Sequence, residues 1–196
     1  MTRYFKQTIN ARQSGVGMTS DDNEQVATCY LQRWYHPVVI DDNYILDTTA
    51  LTTVVAGQDI ITFEHQPDYP RNVTVIASAA ATSEVIVYGV DVFGDAVHEH
   101  LSLTGTTGVT GTQIFSSITS IHLAAQVEGA ANVKVGVSNS LGLLHVPILF
   151  LSEGTVDAVR EATVPVLSAA YNSVTFNTAL SASKVYLCKY WSSELD

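Results

Sequence analysis

Glu84-Val85-Ile86-Val87-Tyr88-Gly89-Val90-Asp91, then Val92-Phe93-Gly94-Asp95, then Ala96-Val97-His98-Glu99-His100-Leu101-Ser102-Leu103: this stretch decides the fold. Its second arm alternates strictly. Val97, Glu99, Leu101 and Leu103 point one way, and Ala96, His98, His100 and Ser102 the other, because side chains of a strand repeat every two residues. Gly94-Asp95 supplies the turn chemistry that joins two strands into a hairpin. The same strand-turn-strand pattern extends outward from about residue 38 to the C-terminus. It predicts strands at 51–55, 58–64, 71–77, 84–91, 96–103, 112–115, 118–125, 132–137, 145–151, 163–167, 173–177 and 184–190. In the last of these, Val185, Leu187 and Lys189 share one face and Tyr186, Cys188 and Tyr190 the other.

Composition agrees. Of 196 residues, 57 are Val, Thr or Ile, and only 14% are charged. Branched side chains favour the pleated surface of a sheet over a helix. Helical segments alternating with strands are absent, so an α/β fold is not expected. No apolar run reaches the length of a membrane-spanning helix, the longest being Val146–Leu151. The expectation is an all-β protein, an antiparallel β-sandwich or jelly roll, with a neutral surface. Such a surface suits a folded enzyme or a subunit packed into an assembly.

The front of the chain is different. Residues 1–37 are polar and lack a clean period, and are expected to form an extended N-terminal arm ahead of a body spanning 38–196. One short helix is expected from Glu24 to Arg33, capped by Asp22 or Asn23 and stopped by Pro37. The arm opens with three bases, Arg3, Lys6 and Arg12, and no acid. Residues 21–68 then carry nine acids against Arg33 alone. A net charge of −10 disfavours phosphate-rich partners, so nucleic acid is not expected to bind. The basic start could dock on an acidic protein surface. Tyr30, Trp34 and Tyr35, with Arg33 and His36, lie between arm and body. They are either interface anchors or a plug for the end of the sandwich. The resulting partner-binding candidates are Arg3, Lys6, Arg12, Arg33, Trp34 and Tyr35.

Chemistry-bearing patterns are few. His98 and His100 share a strand face and could hold one metal, with His122 or His145 as a third ligand. The plainer reading is two polar residues on the solvent face of a hairpin, so no metal is expected. Asp21-Asp22-Asn23-Glu24 and Asp41-Asp42-Asn43 lack the spacing of a cation loop and read as caps or turns. Gly105, Gly108 and Gly111 lack the Lys-Ser/Thr of a phosphate loop and read as a linker. No Gly-x-Ser-x-Gly elbow occurs. Cys29 and Cys188 fit no metal spacing; they could bridge the chain's ends or be two inert thiols of a reducing cytosol. The N-terminus has no apolar core of a secretory signal, so the sequon Asn72-Val73-Thr74 carries no glycan expectation.

One resemblance adds to this. Gln66-Pro67-Asp68-Tyr69-Pro70-Arg71-Asn72-Val73-Thr74-Val75, the Val87–Leu103 hairpin, Gly105-Thr106-Thr107, Phe115–Ile121 and the Val133–Leu143 strand with its Leu141-Gly142-Leu143 bend resemble head decoration (capsid cement) proteins of tailed bacteriophages. The likeness covers about residues 65–150. It implies a β-sandwich or jelly-roll body, a homotrimer on the virion, the major capsid protein as partner, and assembly in the host cytoplasm. It carries no catalytic residues and no cofactor. The alternatives are a tail, baseplate or fibre component binding a host glycan, and a β-sandwich enzyme using His98 and His100.

Overall fold

The computed structural model describes residues 5–8, 27–50, 57–125, 131–144, 149–156, 161–163, 166–168, 172–176 and 179–193. Among them every regular element is a strand, and all pairings are antiparallel. Three sheets result. One has the order β1 (Phe5–Thr8), β2 (Ala27–Tyr35), β15 (Val185–Ser193), β11 (Leu149–Val156), β12 (Glu161–Thr163). A second runs β13 (Val166–Leu167), β14 (Ser173–Thr175), β10 (Asn132–Gly142), β5 (Arg71–Ala77), β8 (Val109–Thr110), with β3 (Asp41–Ala50) also on β10. The third runs β4 (Gln58–Ile60), β9 (Ser117–Leu123), β6 (Glu84–Val90), β7 (Ala96–Ser102).

The chain is thus an all-β antiparallel sandwich. The second and third sheets bury a core of Val73, Val75, Val85, Val87, Leu101, Ile121, Val133, Val135 and their neighbours. These are the apolar positions of alternating strands, so removing them from water drives the packing. A second core holds Trp34, Leu141, Leu143, Val174, Phe176, Leu180, Tyr186, Cys188 and Tyr190. It draws the first sheet onto the far end of the second.

Strand β10 belongs to both cores. Val133, Val135 and Val137 enter the first, and Leu141 the second. On one edge it pairs with β5. On the other edge β3 pairs with residues 132–137 and β14 takes over at 140–142. At Gly136 the β3 backbone comes so close that a Cβ would collide with the Asp41 carbonyl, which is why a strand interior tolerates glycine there.

Two readings of the sequence are corrected. The expected helix at 24–33 is strand β2 over its described part, Ala27–Tyr35. Nine consecutive rungs to β15, from Tyr35 against Val185 to Ala27 against Ser193, outweigh a cap signal. This portion of the expected arm therefore lies inside a sheet. Strand 112–115 is also absent: Phe115 makes a single bridge to Arg71, and the pairing strand there is β8. Expected strand 51–55 falls outside the described residues. The terminal strand matches its expected faces, with Tyr186, Cys188 and Tyr190 all buried.

Candidate functional site

The resemblance-bearing Pro70-Arg71-Asn72-Val73 proves to be the internal fastening of the sandwich. Arg71 opens β5 and is fully buried. Its Nε and Nη2 both donate to the Ser138 carbonyl, the former at 2.8 Å. Its Nη1 donates to the Val38 carbonyl at 3.0 Å and to Asp68 Oδ1 at 2.9 Å. Burial pulls the guanidinium's pKa down and the Asp68 charge opposes that pull. Asp68 Oδ2 in turn accepts the Val38 N–H at 2.7 Å. Asn72 is also buried: its Nδ2 donates to the Gly111 carbonyl at 2.8 Å, and its Oδ1 accepts the Ser140 N–H at 2.9 Å. The sequon asparagine is therefore enclosed by the fold.

Above this fastening lies an open cleft of about 450 Å³, lined by Tyr35, His36, Pro67, Asp68, Tyr69, Pro70 and Ser116. The Tyr69 hydroxyl accepts the Tyr35 N–H at 3.0 Å and donates to the Tyr35 carbonyl at 2.8 Å, so the two tyrosines are locked together. His36 turns the chain out of β2 with a left-handed φ of 52°, a region histidine tolerates better than most residues. Tyrosine and proline residues beside Asp68 and Ser116 give the cleft a lining of mixed polarity.

Of the expected partner-binding residues, Lys6, Arg33, Trp34 and Tyr35 fall among the described residues, on β1 and β2. Tyr35 lines the cleft. Arg33, on the same strand, is half-buried, opposite Leu187 in register. Trp34 is core: only 1% exposed, edge-on to Phe176 at 5.9 Å. Of the two roles open to it, plugging the sandwich is the one it fills. Lys6 pairs with Tyr30 in register between β1 and β2, and Arg3 and Arg12 lie outside the described residues.

The β6–β7 hairpin tip presents Phe93, 54% exposed. Asp91 Oδ1 accepts the N–H groups of Phe93 (2.8 Å) and Asp95 (3.0 Å), and Gly94 takes φ 88°. The turn is thus braced while its phenyl ring faces water. Sequence reading treated it only as a turn; an aromatic between two turn-forming residues was the available signal. Ile61 (75%), Val166 (57%), Val39 and Ile40 (47% each) are also exposed.

On the outer face of the third sheet, His98 and His100 are both exposed, as a solvent-facing hairpin requires. His100 Nδ1 lies 3.0 Å from Glu84 Oε1, and His122 Nδ1 2.6 Å from Asp59 Oδ1. Among the described residues no three His, Cys, Asp or Glu side chains converge on one point; His145 is not among them. On the inner face, Glu99 Oε1 accepts from the N–H and hydroxyl of Thr112 and the N–H of Gln113, tying an edge strand to the 111–113 loop. An inward charge of this kind discourages unwanted pairing at a sheet edge. Asp41-Asp42-Asn43, expected as a cap or turn, instead opens strand β3, with Asp41 Oδ1 accepting the Asn43 N–H at 3.1 Å.

Cys188 is a free thiol, buried, its pKa pushed up to about 12 by burial. At pH 8 the thiol therefore stays protonated, and only the thiolate is nucleophilic. In a Cys29→Ser background, iodoacetamide at pH 8 is expected to leave Cys188 unlabelled in the native state and to label it in urea. Mass spectrometry checks this, and native labelling at the denatured rate contradicts it.

No protein-family model, curated protein or solved structure matches the chain.

Proposed function

We propose that the protein is a head decoration subunit of a tailed bacteriophage. It binds the major capsid protein on the outside of the head as a homotrimer and braces neighbouring capsid subunits. It is a structural, non-enzymatic component, made in the host cytoplasm and resident on the virion, with neither nucleic acid nor membrane as a partner.

One observation carries this reading: a sparsely charged sandwich displays large apolar side chains, among them Phe93 on a turn braced by Asp91. An exposed aromatic on a preorganised turn loses little freedom on docking and fills a pocket well. Arg33 and Tyr35, on one face of β2, add the side-chain types common at interfaces. The test mixes purified protein with capsids lacking it. Saturation at a fixed stoichiometry is expected, and Phe93→Ser should cut affinity by roughly tenfold or more while its melting temperature stays put. Capsids that bind no protein would refute the reading.

A second reading, a tail or fibre component binding a host glycan, is favoured by the cleft at Tyr35, Tyr69, Asp68 and Ser116. Immunogold labelling of intact virions separates the two, because head and tail positions differ.

A further inference from the structure

We infer that the outer face of the β6–β7 hairpin is a two-imidazole site for a divalent transition-metal ion, Cu²⁺ foremost. His98 and His100 are its ligands, and Glu84 orients His100. The two histidines stand at i and i+2 on β7 and project to the same side. Their ring centroids are 5.4 Å apart, with the planes crossing at 70°. A metal–nitrogen bond of about 2.0–2.1 Å puts each ring centroid about 3.2 Å from a shared ion, so centroids can be at most about 6.4 Å apart. The observed separation falls within that limit.

The surroundings are those of a metal-binding histidine. Glu84, on the neighbouring strand β6, holds His100 Nδ1 at 3.0 Å. A carboxylate facing one ring nitrogen fixes the orientation of the ring and leaves Nε2 as the lone-pair donor. Tyr88 lies opposite His98 in register and stacks on it at 5.7 Å and 27°, which limits the rotation of that ring. Two imidazoles with water completing the sphere suit a tetragonal ion, and Cu²⁺ tops the affinity order for nitrogen sites. The acidic net charge of −10 favours cation approach.

His122 serves as the built-in control. It lies on the same sheet face, opposite Ile86, which is itself opposite His100. Two strand spacings, about 10 Å of backbone, separate it from His100, and among the described residues no third His, Cys, Asp or Glu side chain converges with the pair. Its own Nδ1 is held by Asp59.

The experiment titrates copper(II) sulfate into the untagged full chain in a non-coordinating buffer. Calorimetry gives stoichiometry, and electron paramagnetic resonance counts the nitrogen ligands. The expected result is one Cu²⁺ per chain with two imidazole nitrogens. His98→Ala and His100→Ala should each weaken binding roughly tenfold or more, and Glu84→Gln about tenfold. His122→Ala should leave affinity unchanged. All these side chains are at the surface, and circular dichroism of the metal-free variants verifies folding. Absence of saturable binding, a one-nitrogen spectrum, or affinity that survives both His98→Ala and His100→Ala would overturn the site. An unchanged affinity in Glu84→Gln would overturn the orienting role.

Discussion

Arg71→Ala is expected to cost about 3–5 kcal/mol of stability, the range seen when one partner of a buried ion pair is removed. The guanidinium is completely enclosed and donates to Ser138, Val38 and Asp68. Alanine would leave two buried carbonyls and a largely buried carboxylate without their donor, and each unpaired group carries its own desolvation penalty. The location amplifies the effect. Ser138 lies where β10 passes from one core to the other, between the β3 pairing at 132–137 and the β14 pairing at 140–142. Val38 lies where the chain crosses from β2 to β3. One side chain therefore fastens both crossings. Arg71→Lys should recover only part of the loss, since an ammonium lacks the planar fork that reaches several acceptors at once. Urea unfolding followed by tryptophan fluorescence measures the difference. Whole-domain stabilities are commonly about 5–15 kcal/mol, so the alanine variant could fail to accumulate folded. Asp68→Asn then provides the milder probe: the amide oxygen still accepts from Arg71, and the loss comes from the amide NH2 that would meet the Val38 N–H. Midpoints equal to the parent's for both Ala and Asn variants would show that Arg71 fastens nothing.

The parts of this fold that sequence reveals are those where one local rule acts alone. Strands β5, β6 and β7 begin where expected because turn residues bound them; β6 and β7 also alternate in burial, whereas β5 is buried along nearly its whole length. Strand β15 declares its buried face through Tyr186, Cys188 and Tyr190. Strand β3 is obscured because register shifts on β10 break its period, leaving Ile45 and Leu46 adjacent and both buried. Strand β2 is obscured by Gln32, a polar residue at a core position. Its Nε2 donates to the Gly142 carbonyl at 2.8 Å, and its Oε1 accepts the Leu144 N–H and the Tyr190 hydroxyl, both at 3.2 Å. Such pairing is what makes a buried amide tolerable, and none of those partners is within a hundred residues along the chain. The cleft was illegible for the same reason. Residues 35–36, 67–70 and 116 meet only once three separated segments are folded together. The histidine pair was legible as a pair, but the Glu84 contact that aims His100 depends on hairpin register.

Trp34→Ala tests where that aromatic acts. If Trp34 anchored a partner, its loss would weaken binding and leave stability intact. The structure instead gives it 1% exposure in a core with Phe176, Leu141, Tyr186 and Cys188. Truncating a buried tryptophan to alanine is expected to cost about 3–5 kcal/mol through lost transfer energy and the cavity left behind. Trp34→Phe, which retains a ring against Phe176, should cost about half as much or less. The loss should also be local. Trp34 belongs to the second core alone, whereas Val73, Val75, Val85 and Val87 belong to the first. Cores built from separate residue sets can open separately. In Trp34→Ala, hydrogen exchange should therefore accelerate first in β2, β14 and β15, while β5 and β6 stay protected. Uniform acceleration across all five strands would mean that the two cores unfold as one unit. Unchanged exchange and an unchanged melting temperature would place the indole outside the core and return it to the interface.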